Sequence, residues 1–122
     1  MVFGWLVSLF ARLRGLEIRK QSKFVFIGEQ DGPIEQELKE RLTTELLKSP
    51  EVRRAYLARL GFSDTNEEEV ALCLSAPFER DLVIRVQSVF RNLFPKDAYM
   101  NVLFLTESLE KEVREVCKPF FR

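Results

Sequence analysis

The sequence predicts an α+β domain of ferredoxin-like order, β-α-β-β-α-β on a four-stranded antiparallel sheet, with an amphipathic helix in front and another helix behind. Three observations carry that prediction. Four short runs rich in apolar residues alternate with two stretches whose leucines and valines recur every three or four positions. Pro33, Pro50, Pro77 and Pro95 punctuate the boundaries. The link between the second and third strand-like runs is polar and rich in turn formers, as a hairpin requires, whereas the flanking links are helical.

The elements follow in order. Lys23–Ile27 is a strand with apolar residues on both faces, and Gly28 to Gly32 is a loop. Pro33 suits a first helical position, where its missing N–H costs nothing. Ile34, Leu38, Leu42 and Leu46 then repeat every four residues in an amphipathic helix that Pro50 stops. In the second strand, Val52–Phe62, Tyr56, Ala58 and Leu60 take one face and Ala55, Leu57 and Arg59 the other. Gly61 to Glu68 turns the chain into Val70–Ser75, the third strand. The next helix carries Leu82, Val86, Val89 and Leu93 in register, widened by Val83 and Phe90, and Pro95 ends it. Tyr99–Leu105 is the fourth strand. Thr106 caps a last helix with Glu107 and Glu110 in its first turn, favourable at the positive end of the dipole, and Leu109, Val113 and Val116 as its apolar stripe. Pro119-Phe120-Phe121 closes the chain as an apolar segment that docks on the body.

Residues 1–20 stand apart from the single domain expected over residues 21–122. Wound as a helix, Val2, Trp5, Leu6, Leu9, Phe10, Leu13 and Leu16 share one broad apolar arc, with Phe3 nearby. Sixteen helical residues reach about 24 Å, short of the roughly 30 Å hydrocarbon core, and Arg12 and Arg14 interrupt the run. It has neither the basic start nor the small-residue cleavage site of a secretory signal. Two readings remain: a helix docked on its own domain or a partner subunit, or a helix lying in the plane of a membrane surface with its arginines flanking.

At 122 residues the chain suits one domain, and 11 phenylalanines supply core area without disulfide or metal staples. Nineteen basic and 19 acidic residues cancel, so the electropositive footprint of a general nucleic-acid binder is missing. The balance is uneven: Arg12, Arg14, Arg19 and Lys20 against Glu17 give residues 1–20 a net of +3 and the remainder −3. Histidine is absent, which removes the commonest general base and metal ligand. Cys73 and Cys117 lie in apolar patterns at no metal-ligand spacing and read as buried free thiols in a reducing cytoplasm.

No catalytic constellation, cofactor cradle or metal site emerges. Glu67-Glu68-Glu69 reads as a solvated turn, and the loop between Gly28 and Gly32 lacks a lysine and carries Glu29 and Asp31, which repel phosphate. Phe24 and Phe26 sit where an RNA-binding sheet stacks bases, but the third strand offers no aromatic partner, so no nucleic acid is expected. Arg53, Arg54 and Arg59 are the densest basic feature of the body. Arg53 and Arg59 share a strand face that Arg54 opposes, which suits either an anionic contact or a charged edge strand that blocks unwanted pairing.

From roughly Lys23 to Arg122 the chain resembles the C-terminal domain of the SseB, or enhanced serine sensitivity, family. The residues that carry the resemblance are Phe26-Ile27-Gly28-Glu29, Pro50-Glu51-Val52-Arg53-Arg54-Ala55-Tyr56-Leu57 and the closing Pro119-Phe120-Phe121. The resemblance implies a small cytoplasmic bacterial module and carries over no catalytic residues; it departs at the front, where family members commonly have another domain.

Two-faced apolar strands beside a wide apolar helix present more apolar surface than the two internal helices cover. The expected function is therefore a non-enzymatic interaction or regulatory module without cofactor. It would self-associate as a dimer or bind another protein through Val2, Phe3, Trp5, Leu6, Leu9, Phe10 and Leu13, with Arg53 and Arg59 as a second contact. The alternative is a peripheral module held at the inner face of the membrane by residues 1–20.

Overall fold

The computed structural model describes residues 24–62, 68–98 and 100–122; the helix expected over residues 1–16 and the tip of the central hairpin lie outside them. In chain order the elements are β1 (Phe24–Glu29), α1 (Pro33–Leu46), β2 (Arg54–Phe62), β3 (Glu68–Ser75), α2 (Arg80–Leu93), β4 (Asn101–Phe104) and α3 (Glu107–Arg114). The chain is thus α+β, with one four-stranded sheet and three helices among the described residues. Pro33 does open α1, where Leu38, Leu42 and Leu46 are buried one turn apart. The Thr106 hydroxyl does cap α3, accepting from the Leu109 N–H at 3.1 Å.

The sheet is not ferredoxin-like. Its strands lie in sequence order, β1-β2-β3-β4, with β2 antiparallel to β1 and β3, and β4 parallel to β3. A split β-α-β unit leaves room for a third strand between its two strands, whereas β1 and β2 are immediate neighbours. Residue alternation specifies faces and is silent on which strands adjoin. β2 pairs with β3 from Arg54↔Ser75 to Gly61↔Glu68 on one side, and with β1 from Phe62 as far as Ala58 on the other.

β2 is accordingly a central strand, and the expectation of an arginine-protected edge there is overturned. Three separate segments complete its outer side. β1 pairs with Phe62 through Ala58, the Gln30 N–H donates to the Leu57 carbonyl at 3.0 Å, and Phe120 and Phe121 exchange backbone hydrogen bonds with Ala55. β1 also runs on through Gly28 and Glu29, beyond the expected stop at Ile27. A bulge between Phe26 and Gly28 places Gly28 opposite Arg59, whose guanidinium nitrogen would lie 3.1 Å from any Cβ there.

Two layers form on the two faces. On one, Ala55, Leu57, Leu72, Leu74 and Val102 pack with Leu38, Leu42 and Leu46 of α1 and Leu82, Val83, Val86 and Phe90 of α2. On the other, Phe26, Tyr56, Ala58, Leu60, Ala71 and Cys73 pack with Val113 of α3 and Cys117. The faces of β2 are those its alternation predicts. Both internal helices share one layer, and α3 lies on the opposite one. The closing Phe120 and Phe121 join the layer of the two internal helices, completing β2's edge there instead of covering the second face. In α3 it is Cys117, just past the helix, that is buried where Val116 was expected; Val116 is exposed.

Candidate functional site

Arg54 and Tyr56 stand two apart on β2, so both side chains leave the same face of the sheet. That face receives the first turn of α3, where Thr106 sets the entry and Glu110 points down. The result is a charged knot under the helix. Arg54 donates through Nε to Glu110 Oε2 at 2.5 Å and through Nη2 to Oε1 at 3.0 Å, a two-pronged fit of guanidinium to carboxylate. The Tyr56 hydroxyl donates to Glu110 Oε2 at 2.7 Å, and Arg54 also reaches the buried Ser75 hydroxyl at 3.4 Å.

The electrostatics follow from that geometry. The Arg54 hydrogen bonds, opposed by burial and helped by Tyr56, hold the Glu110 carboxyl down at about 2. Burial first and the Glu110 carboxylate second push the Tyr56 hydroxyl up to about 12. Arg54 is held further up by Glu110, so all three keep their ordinary charge states across any physiological pH. A group with no proton to exchange near neutrality is a poor acid or base. What the knot does is fasten α3 to the sheet.

Two further ion-pair groups serve the same kind of end. Lys39, beside the buried Leu38, reaches Glu29 at 2.7 Å and Asp31 at 3.3 Å, joining α1 to the end of β1. Burial lowers its proton affinity, yet the two carboxylates outweigh that and leave it raised. Arg85 of α2 gathers Glu45, Glu79 and the buried Ser49 hydroxyl, tying the end of α1 to the start of α2. Three large apolar side chains of the helical layer's connections and α2 face outward: Leu47 at 70% exposure, Phe78, which meets Phe104 edge to face, at 69%, and Ile84 at 50%.

The residues singled out in the sequence fare differently. Val2, Phe3, Trp5, Leu6, Leu9, Phe10 and Leu13 lie outside the described residues. Arg53 precedes β2 and is exposed; Arg59 lies over Gly28 and pairs with Glu68 at 3.2 Å. About 20 Å of extended chain separates the two, so they form no joint anion cradle. Of the acidic run at the hairpin, Glu68 holds Arg59 and Glu69 is buried beside Asn101. Phe24 and Phe26 pack edge to face at 5.5 Å within the second core layer. Cys73 and Cys117 are buried free thiols, both raised by burial, Cys117 to about 11. Among the described residues no three His, Cys, Asp or Glu side chains converge as metal ligands, and no helix is long and apolar enough to cross a membrane.

Sequence reasoning missed the knot. It read Glu110 as a dipole partner and Arg54 as an edge charge, although Arg-x-Tyr on one strand face, with a carboxylate in a capped helix, was the available signal. The sequence segments that stood out also meet defined partners. Val52 and Leu57 enter the helical layer, Arg54 and Tyr56 hold Glu110, Ala55 receives the Pro119-Phe120-Phe121 segment, and Gly28-Glu29 meets Arg59 and Lys39. Comparison with curated proteins and with solved structures finds no match in either. The model of the SseB protein C-terminal domain matches residues 20–122, and the chain belongs to that family.

Proposed function

We propose that this chain is a non-enzymatic protein-interaction module that self-associates through apolar surface. The observation that carries the reading is the exposure of the large apolar side chains Leu47, Phe78 and Ile84. Large apolar side chains left in solvent, where they adjoin one another, mark interaction sites. A second copy is the partner that fits, because a formal net charge of zero leaves no long-range repulsion between copies. The ionised side chains that are buried hold elements together, which supports a binding role over a chemical one. The setting that fits the buried free thiols is a reducing cytoplasm.

Light scattering across a wide concentration range tests this. Mass rising above 14.3 kDa, and returning to it in Leu47→Lys/Phe78→Lys, is the expected outcome. A clean monomer at high concentration overturns it. The second reading, attachment at a membrane surface, rests on Phe3, Trp5 and Phe10 beside Arg12 and Arg14. Its test is liposome flotation of the chain with and without residues 1–20, and equal behaviour of the two refutes it.

A further inference from the structure

The two internal helices leave one strip of their sheet face bare. α1 and α2 pack on Ala55, Leu57, Leu72, Leu74 and Val102, and β1 supplies no apolar side chain to that layer. Phe24 and Phe26 turn to the opposite face and join the layer of α3. Val25 and Ile27 therefore turn toward the side of the two helices. Gly61 places them there independently. It shares its strand face with Leu57 and Arg59, and a Cβ on it would meet Ile27 Cδ1 at 2.8 Å and Val25 Cγ2 at 3.8 Å. Among the described residues, these two are the only large apolar side chains of the four strands that belong to neither layer. Val25 is 60% exposed.

The strip has the make-up of a docking site. Gly61 carries no side chain, so Ile27 lies over β2 and the apolar surface widens from one strand to two. The Arg59–Glu68 ion pair borders it, with Arg59 over Gly28 and Glu68 opposite Gly61. An apolar floor with a charged border is the anatomy of an interface, and it fits an apolar helix face better than a charged ligand. β1 is the outermost strand on this side of the sheet, so an occupant approaches without displacing another strand.

We propose that the amphipathic segment 1–16 of this chain packs its apolar arc on Val25, Ile27 and Gly61, as a third member of the layer that α1 and α2 form. Three observations favour that occupant. The chain enters β1 at Phe24, one residue before the strip, and Ile27 lies only about 10 Å further on. Residues 17–23 span roughly 24 Å when extended, ample for folding back, and a tethered segment outcompetes a free partner by effective concentration. The arc from Val2 to Leu16 is apolar throughout, and Arg12 and Arg14 lie off it. A helix lying in a membrane would use that same arc, so the two placements exclude each other. The proposal stands apart from self-association at Leu47, Phe78 and Ile84 and survives its failure.

Trp5 is the chain's one tryptophan and lies on the apolar arc, so its fluorescence reads the docking directly. In dilute, lipid-free solution of the full chain, the emission is expected to be blue-shifted. Iodide quenching should be several-fold weaker than for free tryptophan and unchanged on dilution. Val25→Lys puts a charge into the strip at a position the body leaves to solvent, and it should raise quenching several-fold. Val116→Lys, at an exposed position just past α3, should not. A second readout leaves the sheet unaltered: Leu6→Glu/Leu13→Glu should restore solvent-like emission and move the methyl resonances of Val25 and Ile27, while those of Leu47 and Val116 stay. Solvent-like emission in the intact chain overturns the proposal. So does protection that appears only as mass doubles, which assigns the segment to a second copy, or only with anionic vesicles, which assigns it to lipid. Unchanged quenching in folded Val25→Lys, or methyl shifts at Leu47 or Val116 in place of Val25 and Ile27, overturns the placement on this strip.

Discussion

Replacing Glu110 by glutamine removes one charge while keeping size and a hydrogen-bonding oxygen, which isolates the ionic part of the Arg54–Glu110–Tyr56 knot. The carboxyl is held at about 2 against an ordinary 4.5, which corresponds to about 3 kcal/mol at roughly 1.4 kcal/mol for each factor of ten in proton affinity. Arg54 keeps 31% of its side chain in water, so solvent screening reduces the expected loss to about 2 kcal/mol. In a domain of this size that lowers the melting temperature by on the order of 10 °C. The pH dependence has a definite sign. Because the folded carboxyl is depressed, its contribution is complete above pH 4.5 and lost as pH falls toward 2. Urea denaturation of both proteins at pH 7, 4 and 2 should show a gap that is widest at pH 7 and closes at pH 2. A gap below about 0.5 kcal/mol at pH 7, within the ordinary range for surface changes, or one unchanged at pH 2, would refute the ionic account.

Tyr56→Phe should cost about 1 kcal/mol at pH 7 by removing a donor to Glu110. Since the tyrosine is raised from 10 to about 12, the native protein should also lose stability as pH rises between those values, and the phenylalanine variant should lack that loss. Removing residues 119–122 leaves the Ala55 N–H and carbonyl without their partners; a lower denaturation midpoint and light scattering that grows with concentration are expected. Cys73 and Cys117 should resist a disulfide-exchange reagent at pH 8 until denaturant is added, because burial raises both thiols. Rapid labelling of the native protein would contradict that.

The secondary structure was legible because it rests on short-range rules. Leu38, Leu42 and Leu46 could only line one side of a helix, Tyr56 and Leu57 only opposite sides of a strand, and Thr106 only a helix start. Strand order was not legible, since Ala55 reads identically whether its neighbour is β1 or a segment from the far end of the chain. Lys39 falls outside the four-residue repeat of its helix, and its buried position depends on Glu29 and Asp31, which the end of β1 and the loop after it present only after folding. Arg54 looked like a surface charge for the same reason. Ionic pairings between distant elements leave no period in the sequence.

The outer side of β2 has a kinetic consequence. The β2–β3 hairpin pairs residues close in sequence and can form early, whereas Ala55 meets Phe120 and Phe121 across more than half the chain. Loop closure over that span delays the contact. Until it is made, a central strand of the sheet carries an open stretch at Ala55. The last described segment to be synthesised therefore closes the interval in which a nascent chain is most exposed to pairing with its neighbours.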